Sequence, residues 1–128
     1  MKLKNKTIIV TGASRGLGAA MAEECAREGA QLVITAPSLA ELHAVTGQVR
    51  AAGGRVEPVQ ADMVRPEELE ALVARTLEVF GRIDGLVNNA GINYVKPFLE
   101  IDPREWQRVL DVDLNGAFRL TQLCAREM

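Results

Sequence analysis

Three glycines, Gly12, Gly16 and Gly18, stand in the stretch Thr11-Gly12-Ala13-Ser14-Arg15-Gly16-Leu17-Gly18, between the apolar run Thr7-Ile8-Ile9-Val10 and a helical pattern. Glycine lets a backbone turn tightly and present its N–H groups, and the first turn of a helix adds the positive end of its dipole. The chemistry such a turn can do is to cradle phosphate. Strand, glycines and helix in that order form the context in which the cradle holds a dinucleotide.

Few other side chains are placed for chemistry. Cys25 and Cys124 lie far apart in segments of helical periodicity, and no Cys-x-x-Cys or Cys/His ligand spacing occurs. They read as small buried hydrophobes, and no metal site is expected. His43, the only histidine, falls beside Leu39, Leu42, Thr46 and Val49 in a helical pattern with no second ligand near it. A surface or boundary helix position suits it better than the role of a base. Tyr94 reads as a loop residue, either near a substrate mouth or simply at the surface.

The elements that must position the glycine turn follow from periodicity. Short β-type runs at residues 7–11, 31–35, 55–60 and 84–88 alternate with helical faces. Leu17, Met21 and Cys25 mark the first face. Leu69, Leu72, Val73, Thr76, Leu77 and Phe80 mark another, and Trp106, Val109, Leu110, Ala117, Leu120 and Cys124 mark the last. Ser38-Leu39-Ala40-Glu41 has the form of a capping box, and Asp102-Pro103-Arg104-Glu105 combines an acidic cap with a proline at the first helical position. Gly29, Gly53 and Gly81 stand where helices end. Strands alternating with helices predict an α/β fold: a Rossmann-type, doubly wound parallel sheet of four strands in the order 3-2-1-4, with ligand at the strands' carboxyl ends. The irregular residues 90–101 could flank that ligand or be a plain connection.

Composition narrows the partners. The chain's 128 residues suit one domain, residues 1–128, and 15 basic against 17 acidic side chains give no field for nucleic acid or anionic membrane. Ile8-Ile9-Val10, after the basic Met1-Lys2-Leu3-Lys4-Asn5-Lys6, is too short for a signal-peptide core or a membrane span, so a cytoplasmic location is expected.

The glycine stretch, Asp62 after the third strand and Asn88-Asn89-Ala90-Gly91 after the fourth together resemble the short-chain dehydrogenases/reductases. The resemblance extends from Lys6 onward, and residues 94–98 resemble the branch of gluconate 5-dehydrogenases and ketoacyl reductases. It implies a nicotinamide dinucleotide and hydride transfer with an alcohol or ketone. Ser14, Arg15, Gly16, Leu17 and Gly18 would line the phosphates, with Gly12 making the turn. Asp62 would bond the adenine amino group and Met63 would lie against the ring. Asn89, Ala90 and Gly91 would pack beside the adenosine ribose, Asn89 also tying the fourth strand to its neighbours.

Cofactor choice follows from the end of the second strand. Thr35-Ala36-Pro37-Ser38 offers no acid to ribose hydroxyls, Glu41 is explained by the capping box, and Arg15 offers a guanidinium to a 2′-phosphate. NADP is therefore expected over NAD, although Pro37 stands where many NADP-using relatives have an arginine.

The resemblance also implies a serine, a Tyr-x-x-x-Lys pair and a helix-four asparagine. Phe98, not lysine, stands four residues after Tyr94, and Asp113 aligns with the asparagine. No catalytic residue is assigned. The helical face turns Asp113 inward, the alternative being a partly exposed helix acid. The expected protein is thus the N-terminal, cofactor-binding part of an oxidoreductase, truncated after the fourth strand and fourth helix and inactive in this form. A bare strand edge and helix face would make it a homo-oligomer or a swollen, poorly soluble monomer. The alternative is a non-catalytic nucleotide-binding or subunit-interaction module.

Overall fold

The computed structural model describes residues 1–128. Strands β1 (Thr7–Thr11), β2 (Gln31–Ala36), β3 (Arg55–Gln60) and β4 (Gly85–Val87) form one parallel sheet in the order β3-β2-β1-β4. Helices α1 (Gly16–Arg27), α2 (His43–Ala51), α3 (Pro66–Phe80), α4 (Pro103–Leu110) and α5 (Ala117–Ala125) complete it. A π-helical segment, Asp111–Gly116, joins α4 to α5.

Alternation along the central strands fills a core on each face of the sheet. Ile8, Val10, Leu32 and Ile34 pack with Ala22, Leu42, Val45 and Val49 beneath α1 and α2. Ile9 and Val33 pack with Leu69, Leu72, Val73, Val112, Leu120 and Cys124 beneath α3 and α5. A fully buried side chain of this size stabilises the fold by about 1.5–3 kcal/mol relative to leaving it exposed. The sheet is therefore doubly wound, as its sequence predicts.

The edge strand β4 is anchored by charge. Asp84 accepts the Thr7 N–H at 2.9 Å and an Arg82 N–H at 2.8 Å, and lies 3.6 Å from the Lys6 ammonium. Its hydrogen bonds with Arg82, and then with the Thr7 backbone, hold its carboxyl below the usual carboxylate range.

Helix ends match the sequence at Asp102, whose side chain accepts the Arg104 N–H while Glu105 accepts the Asp102 N–H. Gly29, Gly53 and Gly81 all take positive φ. The Ser38–Glu41 box does not form. A 3-10 turn, Ala40–Leu42, starts from Leu39 with no side-chain cap, placing Leu42 in the core and leaving Glu41 exposed.

Two helical faces are rotated from their expected positions. On α1 the buried residues are Gly18 and Ala22, and Leu17 is 69% exposed, because only small side chains fit where α1 meets the turn after β1. In the last helix a spacing of four selects Val112, Gly116, Leu120 and Cys124, leaving Trp106 and Asp113 exposed. Gly116 must face inward, since a Cβ there would lie 2.5 Å from the Met63 carbonyl oxygen. The π segment, with its wider turn, sets that phase. Burial pushes the Cys124 thiol up to about 11, and Cys25 is half-buried. His43 opens α2 at the surface.

Candidate functional site

All four parallel strands end on one edge, and the segments leaving them enclose a cleft of about 660 Å³. Gly12, Ser14, Arg15 and Gly16 line it after β1, and Thr35, Ala36, Pro37 and Glu41 around the end of β2. Ala61, Asp62 and Met63 follow β3, Asn89, Ala90, Gly91 and Ile92 follow β4, and Arg108 and Val112 line it from α4 and the π segment. Of the residues expected from the sequence, Leu17 and Gly18 alone do not line the cleft.

Gly18 instead holds the turn in place. A Cβ at this position would lie 2.2 Å from the Gly12 carbonyl oxygen and 2.5 Å from Asn89 Nδ2, so the third glycine is required for contact between helix and turn. Gly12 takes φ +62° and its Cβ would meet Ala90 Cα at 2.9 Å. Gly16 takes φ +57° and is exposed, with nothing beyond its chain neighbours and its own helix backbone within 4 Å of where its Cβ would sit, so its backbone is bare. No side chain caps the start of α1, leaving the first N–H groups of the helix for a ligand.

Thr11 and Asn89 join the ends of β1 and β4. Thr11 Oγ1 accepts the N–H groups of Asn89 at 3.0 Å and Ala90 at 2.9 Å, and donates to the Val87 carbonyl at 3.3 Å. Asn89 Nδ2 donates to the carbonyls of Thr11 and Gly12, both at 3.1 Å. The expected tie of the fourth strand to its neighbour is therefore present, and it extends to the glycine turn.

Across the cleft, Asp62 Oδ1 accepts the Val64 N–H at 3.1 Å, and Oδ2 lies 3.8 Å from Arg108 Nη2. Met63 and Val112 are nearly buried beside this pair. Asp113, although exposed, accepts the Ile92 N–H at 2.8 Å and so fixes the segment after Gly91 to the last helix. The contact asks only for an acceptor, which a carboxylate oxygen supplies as an amide oxygen would. Residues 90–101 contain one 3-10 turn, Phe98–Glu100, and Lys96 pairs with Glu105 at 2.6 Å. Tyr94, 43% exposed, is in this segment and outside the cleft lining.

Sequence reasoning assigned Glu41 to a capping box and passed over Ala61, Ile92, Arg108 and Val112. The signal for the last two was their spacing of four, one helical turn, on a helix that must cross the carboxyl edge of the sheet.

Comparison with known proteins agrees with this geometry. The model of the short chain dehydrogenase family matches residues 6–128. An L-rhamnose 1-dehydrogenase (NAD(P)(+)) of Azotobacter vinelandii is 42% identical over 132 residues, covering 100% of this chain and 52% of its own length. A 3beta-hydroxysteroid dehydrogenase 1 of Eggerthella lenta is 43% identical over 117 residues, covering 91% of this chain and 45% of its own. The crystal structure of a metagenomic short-chain oxidoreductase in complex with NADP superposes with a TM-score of 0.94 at 36% identity, over 100% of this chain and 58% of that one. The chain thus spans about half the length of the curated relatives it matches. With the family pattern, the sheet order and the glycine turn in agreement over these residues, the chain belongs to the short-chain dehydrogenase family.

Proposed function

We propose that residues 1–128 form the nicotinamide-dinucleotide-binding part of an oxidoreductase that moves a hydride between the cofactor and an alcohol or ketone carbon. The observation that carries this reading is the cleft at the strands' carboxyl ends, with a bare glycine turn and an uncapped helix start on one side. An orphaned group supports the fit: Thr35 Oγ1 is buried, has no hydrogen-bond partner, and belongs to a residue lining the cleft. A polyhydroxylated, phosphorylated ligand brings the acceptors and donors that such a group needs.

In this reading Ser14, Arg15 and Gly16 hold the phosphates, and Leu17 and Gly18 contribute backbone N–H groups without lining the cleft themselves. Gly12 makes the turn. Asp62 accepts the adenine amine and Met63 packs on the ring, while Asn89, Ala90 and Gly91 form the wall beside the ribose. The cofactor supplies the hydride-carrying carbon when bound. These residues orient it, and the serine and Tyr-x-x-x-Lys expected of the family are not among them. The role proposed for the 128 residues is accordingly cofactor binding. Relatives named for a sugar and for a steroid share this half, so we assign substrate choice to sequence outside it.

NADP is the proposed cofactor, with NAD second. Arg15 lines the cleft and has no carboxylate within 4.0 Å, whereas Glu41, freed from its expected cap, lines the same cleft and opposes a 2′-phosphate. Arg15→Ala should weaken NADPH binding by roughly 10-fold or more, the scale of one charge-assisted hydrogen bond, and NADH binding much less. Equal losses would reject the assignment.

A second reading, a subunit-interaction module, is favoured by one observation. Phe98, Leu99, Trp106, Leu114 and Phe118 are each at least 60% exposed on the last helix and the segment before it. A homo-oligomer would cover them. No helix of the chain is long and apolar enough to cross a membrane, and a cytoplasmic site of action is proposed.

A further inference from the structure

The cleft contains one cation that neither the glycine turn nor the family pattern explains. Arg108 approaches from α4 and lies 3.8 Å from Asp62 Oδ2, beyond hydrogen-bond distance. Asp62 is the only carboxylate within 4.0 Å of it. The two side chains are 45% and 26% exposed, so solvent screens their attraction and little is lost when they separate. The other Asp62 oxygen is already engaged by the Val64 N–H. Oδ2 is thus the oxygen left to accept from a ligand, with the Arg108 guanidinium 3.8 Å away.

The surroundings define what that ligand group is. Met63 and Val112, 7% and 6% exposed, are apolar linings of the same cleft, and Asp62 supplies one acceptor there. A flat, largely apolar ring bearing an exocyclic amine matches this arrangement. A guanidinium can lie flat on such a ring while its edge stays near the carboxylate, which a lysine ammonium cannot do.

We infer that Arg108 is an adenine-binding residue: it covers Asp62 Oδ2 before ligand arrives, yields that oxygen to the adenine amine, and then stacks on the purine face. The inference rests on the cleft being a dinucleotide site. Its test uses ADP-ribose, which carries the adenosine end, and nicotinamide mononucleotide, which carries none of it. Both are titrated into the 128-residue chain and into Arg108→Gln and Arg108→Lys variants, with melting curves to establish that each variant folds.

ADP-ribose should bind Arg108→Gln roughly 5- to 30-fold more weakly than the parent chain, the range of a partly desolvated cation–π contact. Arg108→Lys should recover less than half of that loss on a logarithmic scale, because charge is kept and planarity is not. Nicotinamide mononucleotide should be affected less than twofold. ADP-ribose affinity within twofold of the parent in Arg108→Gln, or an equal loss for both ligands, overturns the role of Arg108 and leaves the dinucleotide site standing. Failure of the parent chain to bind ADP-ribose overturns the site itself and this inference with it.

Discussion

Replacing Gly18 by alanine loads the contact on which the phosphate cradle depends. The new Cβ would lie 2.2 Å from the Gly12 carbonyl oxygen and 2.5 Å from Asn89 Nδ2. Neither group can swing aside cheaply: the carbonyl belongs to the turn, and the Asn89 amide is held by hydrogen bonds to the Thr11 and Gly12 carbonyls. Overpacking of this kind costs about 1–3 kcal/mol. Displacing the amide forfeits two hydrogen bonds worth about 0.5–1.5 kcal/mol each. Alanine returns about 1 kcal/mol of helix propensity. The net expectation is a loss of about 1–5 kcal/mol, which lowers the urea midpoint by roughly 0.5–2.5 M at an m-value of about 2 kcal/mol/M. Gly47 provides the control, because it lies inside α2 with nothing within 4 Å of where its Cβ would sit. Gly47→Ala should raise stability by up to about 1 kcal/mol. A Gly18→Ala midpoint equal to or above that of the parent would refute the packing reasoning, since propensity would then have outweighed contact.

Thr11→Val keeps the side-chain shape but removes the acceptor of the Asn89 and Ala90 N–H groups, and unfolding in urea should show a loss of about 2–3 kcal/mol. An unchanged midpoint would mean that those amides find other partners. Asp84 contributes stability that is complete above the usual carboxylate range, because its folded-state pKa is depressed, and that stability is lost as pH falls through the folded value. Asp84→Asn should therefore destabilise most near pH 6 and progressively less toward pH 3, as followed by urea midpoints at each pH. A gap that stays constant over this range would remove the charge from the explanation.

The four strands, their order and the cleft at their carboxyl ends were legible because each is encoded locally. Ile8-Ile9-Val10 and Leu32-Val33-Ile34 are apolar without interruption, as strands covered on both faces require. The glycine turn was equally legible, since close approach of backbone has few alternatives to glycine. What escaped depends on three-dimensional packing. A helical face drawn at 3.6 residues per turn put Trp106 and Asp113 inward, whereas the π segment and the contact of Gly116 with Met63 turned Val112 inward instead. Ser38 carries a capping sequence, yet a 3-10 turn that buries Leu42 starts the helix from Leu39. Glu41 reads as a capping-box partner and Arg108 stands in no motif until the fold brings both to the cleft that Asp62 and Arg15 line.

Titration of NADPH into the purified 128-residue chain, followed by nicotinamide fluorescence and by melting temperature, tests the cofactor site most directly. Saturable enhancement of fluorescence is expected, with a melting temperature that rises with ligand. At one hundred times the dissociation constant, binding to the folded state alone adds about 2.7 kcal/mol of stability. Fluorescence and melting temperature that stay unchanged up to millimolar NADPH, and equally with NADH, would contradict the assignment of the cleft to a nicotinamide dinucleotide.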